Sequence, residues 1–236
     1  MYVQQHTKRR IELMNKPVLS EQERMELKDL TKMVLDEFDK RNAPKEHKNI
    51  IERTKTAHIS AINGVFDYHA KTLEKLADRC VEAFKHNNKI ILCGNGGSAC
   101  DAMHIAGEFV GKFINDRKAL PAVALTADGG IITCIANDYN FEHVFSRQVE
   151  ALGSPGDVLI ALSTSGSSKN VLKALEVAKE RWITTVLLTG AKAQGLSAYD
   201  FSIVVPSKVT AHIQEGHMVA LHCLVELIES KMFKHD

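Results

Sequence analysis

Two pairs of side chains have the types and the spacing of metal ligands, or of an acid and a base. His104 and Glu108 are four residues apart in a predicted helix, so their side chains lie on one face. Gln214 and His222 are eight apart in the predicted last helix, again nearly on one face. These four groups could hold Zn²⁺ or a similar ion, or could exchange protons with a ligand without a metal. The spacing leaves both possibilities open.

A hydroxyl-rich segment offers a second kind of chemistry. Residues 163–168 read Ser-Thr-Ser-Gly-Ser-Ser and follow a predicted buried strand, directly before a predicted helix. Hydroxyl groups and the free N–H groups of a helix N-terminus together bind a phosphate without a dense positive charge. A helix cap would account for one or two of these hydroxyls, but not for five. We therefore predict a phosphate-binding loop.

A glycine-rich segment, residues 94–99, also lies between a predicted strand and a helix. It fits the dinucleotide pattern G-x-G-x-x-A formally, but no acidic residue ends the second predicted strand. The Gly-Lys-Ser/Thr of a P-loop is absent from the sequence. A tight turn without a ligand remains an alternative for this loop taken alone.

The elements that must position these residues alternate regularly from residue 89 onward. Apolar runs rich in Val, Ile and Leu, each followed by a helical pattern, predict an α/β fold with a five-stranded parallel sheet sandwiched between helices. Ligands of such sheets bind at the carboxyl ends of the strands, where both loops lie. The predicted strands are 89–93, 122–126, 158–162, 184–188 and 201–205, and the predicted helices are 99–112, 130–137, 141–152, 169–181 and 212–233.

The chain before residue 89 is charged and helical. The spacing predicts helices at 20–40, 46–61 and 66–86, with a break at Asn63-Gly64, and a capping box of Ser20 and Glu23 begins the first. We divide the chain into an N-terminal helical extension, 1–60, and one domain, 61–236. An apolar stripe on the first helix should pack on the chain's own core or on another subunit; it comprises Leu27, Leu30, Val34 and Phe38.

Composition excludes several classes of function. Of 236 residues, 44% are hydrophobic and 25% charged, and 30 basic against 29 acidic residues give a net charge of +1. A net charge this small gives no strong electrostatic attraction to nucleic acid or to an anionic membrane. Every apolar run is shorter than the ~18 residues of a membrane-spanning helix. Five cysteines without a CxxC pair indicate a reduced, cytoplasmic protein.

Several motifs together resemble the phosphoheptose isomerase family. They cover roughly residues 60–233 and lie at 93–98, 101–104, Glu108, 137–138, 145–147, 156–158, 163–166 and 213–217. The resemblance implies the sugar isomerase (SIS) fold and homotetramers with active sites between subunits. The implied reaction converts sedoheptulose 7-phosphate to D-glycero-D-manno-heptose 7-phosphate, the first step of bacterial heptose biosynthesis.

The resemblance also implies residue roles. Glu108 would be the general base and His222 its acid/base partner. One Zn²⁺ per subunit would be bound by His104, Glu108, Gln214 and His222. Substrate would be bound by Asn95, Gly96, Gly97, Ser98, Asn137, Asp138, Ser163, Thr164, Ser165, Ser168 and Gln214.

Two positions depart from the family pattern, and two other functions compete. Lys112 stands where many members have Arg, and Ala211 where one branch has Asp. A non-enzymatic SIS relative binds the bacterial replication initiator, but it lacks acid/base groups at the positions of Glu108 and His222. A nucleotide-binding oxidoreductase is disfavoured by the hydroxyl-rich loop.

Overall fold

The computed structural model describes residues 9–14, 20–42 and 50–233, without the side chains of 34–35 and 37–42. A short helix α1 covers 9–14. The strands are β1 (Ile90–Gly94), β2 (Ala122–Ala124), β3 (Val158–Ser163), β4 (Thr184–Gly190) and β5 (Phe201–Val205). The further helices are α2 (Glu21–Asn42), α3 (Ile50–Lys85), α4 (Gly97–Val110), α5 (Gly129–Asp138), α6 (Ser146–Leu152), α7 (Lys169–Glu180) and α8 (Thr210–Met232).

The five strands form one parallel sheet in the order β2-β1-β3-β4-β5. Side chains alternate between its two faces: Ile90 and Leu92 pack beneath α3, α4 and α8, whereas Ile91 and Cys93 pack beneath α5, α6 and α7. Both faces are buried, which explains why the strands are continuous apolar runs. The predicted fold class is confirmed.

Element bounds differ from the predictions at several places. The segment 122–126 forms only the three-residue strand Ala122–Ala124, and β4 continues two residues beyond 188. The segment 141–152 is not one helix, because a 3₁₀ turn at Phe141–His143 precedes α6. None of the described helices is long and apolar enough to cross a membrane.

The predicted break at Asn63-Gly64 is wrong, because α3 is one continuous helix from Ile50 to Lys85. Gly64 is buried, and a Cβ atom added there would lie 3.2 Å from Cδ of Pro206. A glycine costs roughly 1 kcal/mol inside a helix, and here it lets the helix approach the end of β5. Close packing therefore overrides the local signal. Residues 46–49 lie outside the described residues, and α3 runs through the proposed division at residue 60.

The N-terminal extension packs on the chain's own core. The capping box forms, since Ser20 Oγ accepts from Glu23 N at 3.3 Å and Glu23 Oε2 accepts from Ser20 N at 3.0 Å. Leu30 is buried, and Leu27 packs with Met14 against the core beneath α6 and α7. The side chains of Val34 and Phe38 lie outside the described residues.

A buried ion pair joins the segment after α4 to the last helix. Arg117 Nε donates to Glu229 Oε1 at 2.7 Å, and both side chains are almost fully buried. The same guanidinium donates to carbonyl oxygens at the carboxyl end of α4, those of Glu108 and Phe109 at 2.7 Å and of Gly111 at 3.1 Å. Burial acts to raise the pKa of Glu229, but the hydrogen bond and charge of Arg117, together with hydrogen bonds from the backbone N–H groups of Phe113 and Ile114, outweigh it and the pKa is lowered.

Replacing Arg117 with Met should destabilise the fold by about 3–5 kcal/mol, because Glu229 is left buried without its partner. For a chain of this length, the melting temperature should fall by roughly 6–20 °C in thermal denaturation at pH 7. Lys118→Met, at an exposed neighbour, is the control. The depressed pKa of Glu229 means that the wild-type advantage is present above the unfolded pKa of ~4.3 and is lost as the pH falls below it. Equal melting temperatures for the two variants would contradict a structural role for the pair.

Candidate active site

The two predicted ligand loops lie side by side at the carboxyl edge of the sheet. β1 and β3 are neighbours, with Gly94 paired to Leu162, and the chain leaves them in opposite directions along the sheet. Such a reversal opens a crevice at the strand ends, where ligands bind in open parallel sheets. Two side-chain amides join the loops: Asn95 Nδ2 donates to Asn170 Oδ1 at 2.9 Å, and Asn170 Nδ2 donates to Asn95 Oδ1 at 2.8 Å.

The glycine-rich loop is built for close approach of its backbone. Gly96 has φ of 57° and ψ of −122°, a conformation that strongly favours glycine. A Cβ added at Gly94 would lie 2.7 Å from the carbonyl oxygen of Ser98, so the turn into α4 also needs glycine there. Gly97 is the first residue of α4 and lies against the side chain of Gln214 from α8. A Cβ atom added at Gly97 would lie 3.0 Å from Cδ of Gln214, so a larger residue would displace that side chain.

The hydroxyl-rich loop follows β3 and precedes α7. Ser163 Oγ donates to Ser168 Oγ at 3.0 Å, and Ser167 donates to Ser165 Oγ from N at 3.2 Å and from Oγ at 3.0 Å. Ser168 occupies the N-cap position of α7, yet among the described residues its side chain caps no backbone N–H group. The hydroxyls therefore hold one another in a cluster in front of the positive end of a helix, as a phosphate site requires.

His104, Glu108 and His222 converge at one point between α4 and α8. The Nε2 atoms of the two histidines are 3.2 Å apart, and His104 Nε2 is 3.1 Å from Glu108 Oε1. Ligand atoms bound at about 2.0–2.1 Å in a tetrahedral zinc site lie roughly 3.3 Å from one another. These separations fit a divalent metal, and the three residues form a possible metal-binding cluster.

The ring of His222 is held on two sides. Phe113 stacks on it with ring centroids 5.4 Å apart and an interplanar angle of 11°, and His104 meets it edge-on at 5.2 Å. Burial lowers the pKa of His222, and the neighbouring His104 lowers it further, although Glu108 acts in the opposite direction. The imidazole is therefore neutral near pH 7, the form that binds a metal or accepts a proton.

The structure leaves some predicted site residues apart from this cluster. Asn137 and Asp138 are exposed at the end of α5, where Asn137 Nδ2 donates to Asp138 Oδ1 at 2.9 Å. Their contacts with other described residues do not join them to the metal cluster or to the hydroxyl loop. Gln214 contacts Gly97. Substrate binding by the first two and metal ligation by Gln214 stay predictions.

Three residues that position the site were missed from the sequence. Asn170 fixes Asn95, Phe113 supports His222, and Arg117 anchors the end of the helix that carries Glu108. A buried Asn at the second position of a helix is a signal that could have been found, since Asn170 interrupts an otherwise apolar face. Phe113 and Arg117 lie in the irregular segment between α4 and β2, where the sequence has no helical or strand periodicity to interpret.

Known proteins resemble this chain in sequence and in structure. A family model described as SIS domain matches residues 56–190. A phosphoheptose isomerase from Aneurinibacillus thermoaerophilus is 49% identical over 166 residues, covering 70% of this chain and 84% of the relative. One from Shewanella halifaxensis is 45% identical over 194 residues, covering 79% of this chain and 98% of the relative.

Solved structures agree with these sequences. The phosphoheptose isomerase of Neisseria gonorrhoeae matches with a TM-score of 0.68 and 38% identity, covering 76% of this chain and 97% of its own. The phosphoheptose isomerase of Francisella tularensis matches with a TM-score of 0.73 and 33% identity, covering 76% of this chain and 96% of its own. Since the family model matches more than half of the chain and these relatives are matched over most of their length, the chain belongs to the phosphoheptose isomerases, a family of SIS-domain proteins.

Proposed function

We propose that this protein converts sedoheptulose 7-phosphate to D-glycero-D-manno-heptose 7-phosphate, as the first step of bacterial heptose biosynthesis. The observation that carries the proposal is the convergence of Glu108, His104 and His222 within hydrogen-bond distance in a chain of this family. A non-catalytic role, as a sugar-phosphate-binding or replication-initiator-associating adaptor, would not need an intact carboxylate and imidazole at one point.

The reaction requires one base at carbon and one proton shuttle at oxygen. Glu108 would take the proton from C1 of the ketose, giving an enediol, and return it to C2. His222 would move the other proton from the hydroxyl at C1 to the carbonyl oxygen at C2, so no redox cofactor is consumed. An ionised Glu108 near a neutral His222 suits these two roles, because each group is then in the form that accepts a proton.

The phosphate of the substrate would lie in the hydroxyl-rich loop, held by Ser163, Thr164, Ser165 and Ser168 and by the N-terminus of α7. Ser165 and Ser167 are exposed, so they can reach a ligand, whereas Ser163 is buried and fixes Ser168. The sugar would cross the glycine-rich loop at Asn95, Gly96, Gly97 and Ser98. We place Asn137, Asp138 and Gln214 at its hydroxyl groups.

The cofactor would be one Zn²⁺ per subunit, held by His104, Glu108, His222 and the amide oxygen of Gln214. The fit rests on the 3.1–3.2 Å separations of the described donor atoms and on their nitrogen and oxygen chemistry. When bound, such a cation would stabilise negative charge at the substrate oxygens. The residues of the chain would still hold and move the protons.

The assembly would be a homotetramer with active sites between subunits. Met103 and Val110 are exposed on α4, the helix that carries His104 and Glu108, and Ile59 is exposed on α3. A second subunit that covered these apolar side chains would also close the site against water. We place the protein in the cytoplasm, because all five cysteines are free thiols.

Replacing Glu108 with Gln should lower kcat by ~10²–10⁴-fold, because an amide cannot accept the proton from carbon. The assay incubates the variant with sedoheptulose 7-phosphate and measures the aldose phosphate. Glu150→Gln, at an exposed carboxylate on α6, is the matched control. Wild-type turnover by Glu108→Gln would refute the assignment of the base, and absence of turnover in the wild type would favour the adaptor.

Replacing Ser165 or Ser168 with Ala should raise KM more than it lowers kcat. The phosphate is bound equally in the ground state and in the transition state, and a hydrogen bond to a charged group contributes about 1.5–3 kcal/mol. Steady-state kinetics on each variant provides the measurement. An unchanged KM would remove that serine from the phosphate site.

Deleting residues 1–44 should leave an active tetramer of lower thermal stability. The deletion exposes the apolar surface that Met14, Leu27 and Leu30 cover, and each such side chain contributes roughly 1.5–3 kcal/mol when it is buried. Light scattering gives the oligomeric state and thermal denaturation gives the stability. A monomeric product would show that the extension, and not the α/β domain, drives assembly.

A further inference from the structure

A large cavity lies between the N-terminal extension and the segment that follows β4. Its volume is about 980 Å³, at the upper end of the range for small-molecule sites. Helices α1 and α2 form one wall, and residues 191–197 form the other. The SIS-domain match begins at residue 56, so the first wall belongs to a part of the chain outside that match.

The cavity concentrates positive charge in a chain that is nearly neutral. Among its described lining residues the only carboxylate is that of Asp36. The net charge of the whole chain is +1, so this concentration is local rather than a consequence of composition. Six basic side chains line it: Arg10, Arg24, Lys28, Lys32, Lys192 and Lys208.

Arg10 is the most informative of these residues. Its side chain is only 4% exposed, and its Nε donates to Thr31 Oγ1 at 2.9 Å, but it forms no ion pair with a carboxylate among the described residues. Burial lowers its pKa to about 10, so it is still charged at neutral pH. The neighbouring Arg9, by contrast, pairs with Glu26 at 2.9 Å. A buried cation without a counter-charge is costly, and a bound anion would offset that cost.

The interior of the cavity is not wholly polar. Met14, Leu27 and Leu196 line it and also pack against the core beneath α6 and α7. Apolar side chains beside exposed Lys28, Lys32 and Lys192 suit a ligand with a carbon skeleton and a strongly anionic group. Arginine and lysine together are the usual partners of phosphate groups.

We propose that this cavity is a second ligand site, which binds a small organic molecule carrying a diphosphate or two phosphate groups. It is separate from the hydroxyl-rich loop, because no residue of 163–168 is among its described lining residues. The two are nevertheless in contact: a Cβ added at Gly166 would lie 3.0 Å from Cα of Ala193, which lines the cavity. Occupation of the cavity would therefore affect the loop that holds the substrate phosphate.

The test is a calorimetric titration of the full-length protein with inorganic pyrophosphate, which carries the charge of the ligand. The wild type should bind it, and Lys28→Gln/Lys32→Gln/Lys192→Gln should bind it at least tenfold more weakly, because three cationic contacts are lost. Lys75→Gln/Lys118→Gln, at two exposed lysines outside the cavity, should bind as the wild type does. The lysines changed are exposed, so the triple variant should keep its fold.

A second measurement separates the cavity from the active site. Ser165→Ala/Ser168→Ala should retain pyrophosphate binding, and pyrophosphate should raise the melting temperature of the wild type but not that of Arg10→Gln. Wild-type affinity in the triple lysine variant would overturn the proposal. So would complete loss of binding in the serine variant, because the anion would then occupy only the hydroxyl-rich loop. Equal binding of sulfate at the same ionic strength would show nonspecific screening and would also overturn it.

Discussion

The buried pair of Arg117 and Glu229 is the contact on which the candidate active site depends most. Arg117 holds the carboxyl end of α4 through the carbonyl oxygens of Glu108 and Phe109, and Glu229 is part of α8. The metal-type residues come from these same two helices, His104 and Glu108 from one and His222 from the other. A separation of about 3 Å between side chains of two helices is kept only if the helices cannot slide. The ion pair supplies that restraint outside the site itself.

The sheet supplies the second restraint. A strand order of β2-β1-β3-β4-β5 brings the carboxyl ends of β1 and β3 together, although Gly94 and Ser163 are 69 positions apart in the sequence. The two loops are then joined by the reciprocal amide bonds of Asn95 and Asn170. The backbone groups proposed to bind the sugar and the hydroxyl groups proposed to bind the phosphate thereby become parts of one edge of the sheet.

The N-terminal extension adds a feature outside the SIS-domain match. Its Leu30 is buried and its Leu27 covers the face of the sheet core beneath α6 and α7, so hydrophobic burial explains why it docks. Burial does not explain the basic residues that it brings to the cavity wall. Arg10 is buried and pairs with no carboxylate among the described residues, which opposes docking, and a bound anion at this surface would offset that cost.

Most of the helices and strands, and the residue types that could act in a site, were predictable from the amino-acid sequence alone. Apolar runs placed five strands because each strand is buried on both faces, and the i,i+4 spacing placed His104 and Glu108 on one face because helix geometry is local. The hydroxyl-rich loop could also be predicted, because its residues are consecutive in the sequence. The contact of His222 with His104, the pairing of Asn170 with Asn95 and the continuity of α3 through Gly64 could be seen only in the folded chain. These contacts join residues far apart in the chain, or depend on space left beside Pro206, and no local pattern encodes such a distance.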